Sequence, residues 1–490
     1  MLINLAGYNL DSAVIEELKA QSPGRLDVTP ETLSASYARI SRDPRSIDEL
    51  RKIARSEVEK ARKSNKAIIY KMGHHSVAEH AVFNFDIIGV SRLAVESIEH
   101  FRLCSYTEKS QRYITLGNDH IIPEEIRNSQ YLESFRSIIK LQNDFYRRSY
   151  DKLREYVFDR NKELAKDEKN HNLLEGWAKE DARYITSLAT QGQLGLTINA
   201  RNLELLIRRF ACSPYSEVKQ VGEELYRLAR EVAPSIILFT QANEYDSKTY
   251  EEMSKFKKLA PYGGAPKELV TLEDHTENAD DIIVSSLMHT ISKASFADCK
   301  KAVAKMPMAK KKEIIKTACG KMEFYDATLR EFEFANLMFD LVISASCFAQ
   351  LKRHRTATIT TQDYDPSLGV TVPQAFYEIK MDKEFMEIIR RTEDLYSKIE
   401  PKLGFYAQYI LTNAHRRRVL LGVNARELYH ISRLREDEHA QWDIRNVSAE
   451  MTKLAKKKMP LTFMLIGGKD KYPEIYEKVY GAPPKLIPPK

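Results

Sequence analysis

Three landmarks recur in the same order along this chain of 490 residues. Phe85-Asp86-Ile87-Ile88 and Phe339-Asp340-Leu341-Val342 each sit in a short β-rich run. His100-Phe101-Arg102 begins 14 positions after Asp86, and Arg353-His354-Arg355 begins 13 positions after Asp340. Farther on, Asn199-Ala200-Arg201 is matched by Asn424-Ala425-Arg426. Chance supplies one such match; three in order define an internal duplication, so the chain must build two like units.

The length agrees, since domains run to roughly 100–200 residues. Hydrophobic residues at 43% and charged residues at 30% can fill cores and cover a surface. The sequence has no run of about 18 apolar residues, so no membrane span is expected. Met1 to Gly7 lacks a basic region and a long apolar stretch, so no secretory leader is expected. The five cysteines are scattered without a CxxC pair. That argues against a disulfide framework or a zinc site and fits a reducing, cytoplasmic setting. A net charge of +7 is modest for this size, and no nucleic-acid partner is expected from it.

Apolar spacing of three and four predicts helices over 45–70 and 131–157. Ala81–Ile88 and Leu337–Ile343 read as strands. Lys300–Lys321 reads as one solvated helix. Pro261-Tyr262-Gly263-Gly264-Ala265-Pro266 marks a linker near the middle. The tail from Gly481 to Lys490 should be extended and exposed. The units are accordingly placed at 1–255 and 281–490, with 256–280 between them.

Two segments are dense in chemistry. Gln350-Leu351-Lys352-Arg353-His354-Arg355 packs cations beside a carboxamide. An arbitrary basic turn is solvated, but this one ends the apolar run Leu341–Phe348. A fixed guanidinium at the end of a buried segment suits an anion. In the first copy, Glu108, Ser110 and Arg112 alternate, and in extended chain they would project to one side. Residues 430–445 read as a single helix with the stripe Ile431, Leu434 and Trp442.

Together these residues resemble the flavin-dependent thymidylate synthases, whose pattern is Q-x-x-R-H-R-x-x-S-x-N-x-x-S-x-R-Y. Here that pattern is divided. The second copy keeps Gln350 and Arg353-His354-Arg355, then has Thr358, Thr360, Thr361, Asp363 and Asp365. The first copy has Ser97 and His100-Phe101-Arg102, then keeps Ser105, Glu108, Ser110, Arg112 and Tyr113, with Thr107 for Asn. The family's H-x-S-x-x-E-H stands at His74–His80 and its D-A-R-Y at Asp181–Tyr184, in the first copy alone. Its L-R-x-x-x-x-A-Q-W-E-I-R is nearly intact at Leu434–Arg445, in the second alone. Each copy retains what the other has lost.

The resemblance implies an α+β fold of two tandem domains, each a sheet flanked by long helices. It implies one site composed from both copies. Gln350, Arg353 and Arg435 of the second copy, with Glu108, Ser110, Arg112 and Arg183 of the first, would hold the nucleotide. Ser76, Arg353, His354, Arg355, Glu108 and His430 would face FAD, with either Asn199 and Arg201 or Asn424 and Arg426. The implied reaction is C5 methylation of dUMP, with methylenetetrahydrofolate as carbon donor and NADPH as reductant. Arg435 is the candidate catalytic group, as a cation at the pyrimidine edge. The family is tetrameric, so two fused chains would rebuild that shape as a homodimer. The other composite site, with His100, Phe210, Thr361, Asp363, Asp365 and Gln408, would have little to hold a phosphate. Methylation of another nucleotide such as UMP, or flavin binding without catalysis, remain the competing readings.

Overall fold

A computed structural model describes residues 1–19, 29–39, 43–71, 74–260, 264 and 266–484. It contains two antiparallel sheets of four strands with one topology. In the first, β1 (Leu2–Tyr8), β2 (Val82–Ser91), β3 (Cys104–Glu108) and β4 (Gln191–Asn199) lie in the order β1-β2-β4-β3. In the second, β5 (Val270–His275), β6 (Asn336–Ser344), β7 (Thr358–Thr361) and β8 (Arg416–Asn424) lie in the order β5-β6-β8-β7. Alternation drives both: Phe83, Phe85 and Ile87 point inward from β2, as do Leu337, Phe339 and Leu341 from β6. The fold is α+β and duplicated, as the sequence predicts.

The one-residue difference between the two landmark spacings has a local cause. The β2–β4 register shifts between Ile88 and Val90, around Gly89 at φ +76°. The β6–β8 ladder is unbroken. Gly89 is therefore a single inserted bulge residue, in a backbone conformation that glycine adopts without penalty.

The strand-to-helix turns set up the site. Ser91 caps α1 (Arg92–Ile98) by accepting from Ala94 N, and Ser344 caps α6 (Ala345–Leu351) by accepting from Cys347 N. The long helices α2 (Leu132–Arg160) and α7 (Asp382–Leu403) carry one copy toward the other. Gln142 of α2 donates to Thr392 Oγ1 of α7 at 2.9 Å and to Ile410 O at 3.0 Å.

The halves are joined about a pseudo-twofold axis. Leu188 N donates to Leu411 O at 2.7 Å, and its counterpart Asn413 N donates to Thr186 O at 2.9 Å. Ala189 N to Tyr409 O and Ala414 N to Tyr184 O repeat the relation at 3.0 and 2.9 Å. Each sheet has its own core, but two further apolar clusters mix the copies, such as Phe145 with Phe376 and Phe385.

Several local expectations need correction. The span 256–280 is not all linker: Val270–His275 is strand β5, paired with β6, so the second unit begins earlier than 281. Most of the Pro-Gly stretch 261–266 lies outside the described residues, as does the tail beyond 484. Residues 45–70 form two helices, Ile47–Ser56 and Val58–Lys66. Lys300–Lys321 is also two helices, interrupted before Met308 by Pro307, and Lys311 is buried against Asp281 at 2.6 Å. Residues 430–445 are not one helix: α8 (Ala425–Arg435) ends and α9 (Trp442–Lys458) begins at a Gln441 cap. Among the described residues no helix is long and apolar enough to cross a membrane.

Candidate active site

The retained half-sites meet within one chain. Arg353 follows α6 of the second copy, and Glu108 ends β3 of the first; Arg353 Nη2 donates to Glu108 Oε2 at 3.3 Å. Lys352 Nζ lies 3.9 Å from the same oxygen and 2.7 Å from Glu99 Oε2. Arg92 Nη1 lies 4.0 Å from Glu108 Oε1. Burial alone would push the Glu108 carboxyl up, but Lys352, Arg92 and Arg353 outweigh it and hold it below the usual range.

Arg435, the last residue of α8, donates from Nε to His354 Nε2 at 2.9 Å. The imidazole therefore accepts at Nε2 and carries its proton at Nδ1, which faces Glu427 Oε1 at 3.5 Å. Burial, with help from Arg435, pushes the His354 pKa down to about 4, so the ring is neutral at pH 7. Burial also lowers the Arg435 guanidinium to about 10, and Arg353 and Arg112 add to that effect. Arg435 remains a cation, and among the described residues no carboxylate pairs with it.

Arg112 and Arg183 complete the cluster. Arg112 Nη1 donates to Glu180 Oε1 at 2.7 Å and Nη2 to Tyr113 OH at 2.9 Å. Arg183 is buried, and its Nε and Nη2 have no hydrogen-bond partner among the described residues. Burial lowers its pKa, with Glu180 and Tyr184 opposing and Arg112 and Arg92 reinforcing. A buried guanidinium with unmet donors is costly unless an anion completes it. Ser110 plays a turn role, its Oγ accepting from Arg112 N at 3.2 Å, because β3 ends at Glu108 and the expected extended alternation stops there.

Gln350 is buried and donates to Gln441 Oε1 at 3.3 Å; Gln441 in turn donates to Tyr184 OH at 2.9 Å. Tyr184 donates to Asp443 Oδ2 at 2.9 Å, and Trp442 Nε1 donates to Asp181 Oδ1 at 2.7 Å. These bonds tie the Ala-Gln-Trp segment of one copy to the Asp-Ala-Arg-Tyr segment of the other. Sequence reasoning missed Glu180, Arg92 and Gln441 as members of this site. Glu180 sits three residues before Arg183, one helical turn away, which was the available signal.

The proposed flavin residues divide. Arg355, Asn424, Arg426 and His430 line one cavity of about 1170 Å³. Asn202 and Leu205, rather than Asn199 and Arg201, represent the first copy there. Asn199 and Asn424 both spend their side chains as helix caps, accepting from Asn202 N and Glu427 N. Arg201 is held by Glu79, and Ser76 lies exposed on the same 3-10 turn as Glu79, so these belong to a separate cluster of the first copy.

That same cavity contains the residues expected for the vacated site: His100, Phe210, Thr361, Asp363 and Gln408. Asp365 is not among them; it caps a turn by accepting from Ser367 N at 2.9 Å. Cationic side chains nonetheless line this cavity, Arg417 among them. Arg417 projects in, over the Phe348 ring at 4.9 Å and the Tyr364 ring at 4.4 Å. It donates to Glu96 Oε2 at 2.9 Å, Thr361 Oγ1 at 2.9 Å and Gln362 O at 2.7 Å. Its counterpart on β4 is Gly192, since the two strands align from Gln191 with Arg416 to Asn199 with Asn424.

The chain is thus a duplicated α+β protein with a guanidinium cluster at the junction of its two like units. The sequence profile of the thymidylate synthase complementing protein family matches residues 26–235 and again 271–461, and the chain belongs to that family. A flavin-dependent thymidylate synthase of Clostridium tetani is 29% identical over 220 residues, covering 43% of this chain and 82% of that one. UPF0159 protein Ta1429 of Thermoplasma acidophilum is 24% identical over 465 residues, covering 86% of this chain and 91% of its own, so that match runs across both copies. Among solved structures, a UMP/dUMP methylase from Streptomyces cacaoi, PolB, bound with 5-Br dUMP, shares 17% identity at a TM-score of 0.32, covering 40% of this chain and 92% of that one.

Proposed function

We propose that this chain is a flavin-dependent enzyme that methylates a pyrimidine nucleotide at C5, dUMP in the first instance, at one composite site per chain. The observation that carries the reading is the meeting of Arg353 with Glu108 beside the unmet donors of Arg183. Family membership supplies the class of reaction, and the relatives named above as thymidylate synthases support the substrate class.

The residues fit a dinucleotide and a nucleotide phosphate. A cavity of about 1170 Å³ exceeds the roughly 300–1,000 Å³ of ordinary small-molecule sites. Arg355, Arg426 and His430 would hold FAD there, with Arg353 and His354 at its reacting end. When bound, the flavin supplies the hydride chemistry, which no side chain here can supply. Arg183 and Arg112 would take the phosphate, Arg112 exchanging Glu180 for it. Gln350 would orient the base. Arg435, fixed by neutral His354, would put positive charge at the pyrimidine edge, stabilising the electron density that C5 needs to attack a one-carbon unit. Methylenetetrahydrofolate would donate that unit, NADPH would reduce the flavin, and a homodimer would rebuild the family's four-unit shape.

The decisive experiment purifies the protein, records its visible spectrum, and measures tritium release from 5-tritiated dUMP and UMP with methylenetetrahydrofolate and NADPH. Flavin absorbance with release from dUMP is expected. Release from UMP alone moves the substrate to ribonucleotides; bound flavin without release from either removes the catalytic reading.

A further inference from the structure

We propose that the vacated half-site acts as a positioning device for the surviving one: Arg417, through Glu96 and Arg92, fixes the Glu108 carboxylate that faces Arg353. The proposal rests on the reading of Arg353 and Glu108 as parts of the nucleotide and flavin site.

The links form one buried chain. Arg417 Nη1 donates to Glu96 Oε2 at 2.9 Å, and Tyr364 OH donates to Glu96 Oε1 at 2.8 Å. Arg92 Nη2 lies 3.3 Å from that same Oε1, and its Nη1 lies 4.0 Å from Glu108 Oε1. Glu108 Oε2 then accepts from Arg353. Arg92, Glu96 and Arg417 are all less than 9% exposed, so these charges are little screened. Among the described residues, Arg92 makes no hydrogen bond with either Nη. It is shared between two carboxylates, and its place depends on how strongly each draws it. Arg417 on Oε2 and Tyr364 on Oε1 compete with Arg92 for the Glu96 carboxylate, which weakens its hold on Arg92 and leaves that guanidinium partly available to Glu108.

The chain runs one way only. The positions equivalent to Arg92, Glu96 and Arg417 are Ala345, Ala349 and Gly192. The second copy therefore has no matching relay toward the vacated side, as a device serving a single site requires. With the Arg417 charge removed, Glu96 would draw Arg92 closer than the present 3.3 Å and away from Glu108. Glu108 would then lean on Arg353 and Lys352 alone, occupying the guanidinium that the ligand needs.

The test compares crystal structures of the wild-type chain and Arg417→Met, and measures FAD affinity by fluorescence for wild type, Arg417→Met, Glu108→Gln and the double variant. In Arg417→Met, the Arg92–Glu96 separation is expected to shorten below its present 3.3 Å and Arg92 to move beyond its present 4.0 Å from Glu108. FAD affinity should fall about tenfold, and the same substitution should have little effect in the Glu108→Gln background, as coupled neighbours require. Unmoved Arg92 and Glu108, or an equal loss in both backgrounds, overturns the proposal. If Arg417→Met does not fold, Tyr364→Phe withdraws one donor from Glu96 and should give the same displacement at smaller amplitude. If wild-type protein binds no FAD, the proposed function falls, and the two crystal structures alone decide the positioning role.

Discussion

Lys352 Nζ and Glu99 Oε2 lie 2.7 Å apart, both buried, and the two residues occupy equivalent positions in the two copies. Equivalent residues that meet across a twofold axis are identical in a homodimer. Two lysines or two glutamates at this spot would repel in a medium of low dielectric. A salt bridge here exists only because one chain carries two different copies. The pair therefore marks a point of contact at which the two copies differ.

Breaking that pair should be costly. Glu99→Ala leaves the Lys352 ammonium buried without its closest partner and should lower unfolding free energy by about 3–5 kcal/mol. The double variant Glu99→Leu with Lys352→Leu should recover most of the loss. Urea unfolding of the three chains checks both statements; equal stability of Glu99→Ala and wild type would refute the first.

Arg183→Met should separate binding from stability. The substitution removes a buried guanidinium with two unmet donors. Thermal stability should hold or rise, because no protein hydrogen bond from Nε or Nη2 is lost. Nucleotide affinity should fall by about 2–3 kcal/mol, the worth of a charge-assisted bond. Calorimetric titration with dUMP and a melting curve measure the two effects on one sample.

Gly192→Arg should obstruct the proposed surviving site, because its counterpart Arg417 projects into the cavity on the other side. A Cβ on Gly192 would lie 3.7 Å from Val90 O and 3.8 Å from Val95 Cγ2, which is ordinary contact. Gly192→Ala should therefore be active, while Gly192→Arg should lose more than about a hundredfold in nucleotide turnover by burying an unmatched charge where ligand must sit. Comparable activity of the two variants would show that the halves differ here.

Mixing Arg353→Ala chains with Arg112→Ala chains should not restore activity. Arg353 contacts Glu108 of its own chain, and Arg112 influences Arg435 of its own chain. Each variant carries its defect in its own site. Recovery toward a quarter of wild-type turnover would mean that the copies exchange between chains.

Acid should weaken the fold through His354. Its folded pKa is about 4 against an ordinary 6.5, so the unfolded chain binds more protons between those values. The group's contribution to stability is full above pH 6.5, declines as pH falls from 6.5 to about 4, and is constant below that. The total is about 3 kcal/mol at roughly 1.4 kcal/mol for each pH unit. The unfolding free energy of His354→Asn should show a shallower slope over that window than wild type.

The sequence by itself determined the duplication, the α+β class and the complementary division of motif residues. Those are carried by local order: alternation in β2 and β6, caps at Ser91 and Ser344, and residue types at fixed spacing. It even recorded the Gly89 bulge, as a spacing that differed by one between the copies. Only the tertiary structure decided that Arg353 and Glu108 meet within one chain, that Asn424 and Arg426 rather than Asn199 and Arg201 share a cavity with Arg355, and that Arg417 projects into that cavity. Arg417 is one of three consecutive arginines on a strand, and nothing local distinguishes it from its neighbours. Its role comes from Glu96, 321 residues away, brought close by packing across the pseudo-twofold axis. Charges that meet over such separations leave no periodic trace in the chain, because their energy depends on burial and distance rather than on sequence spacing.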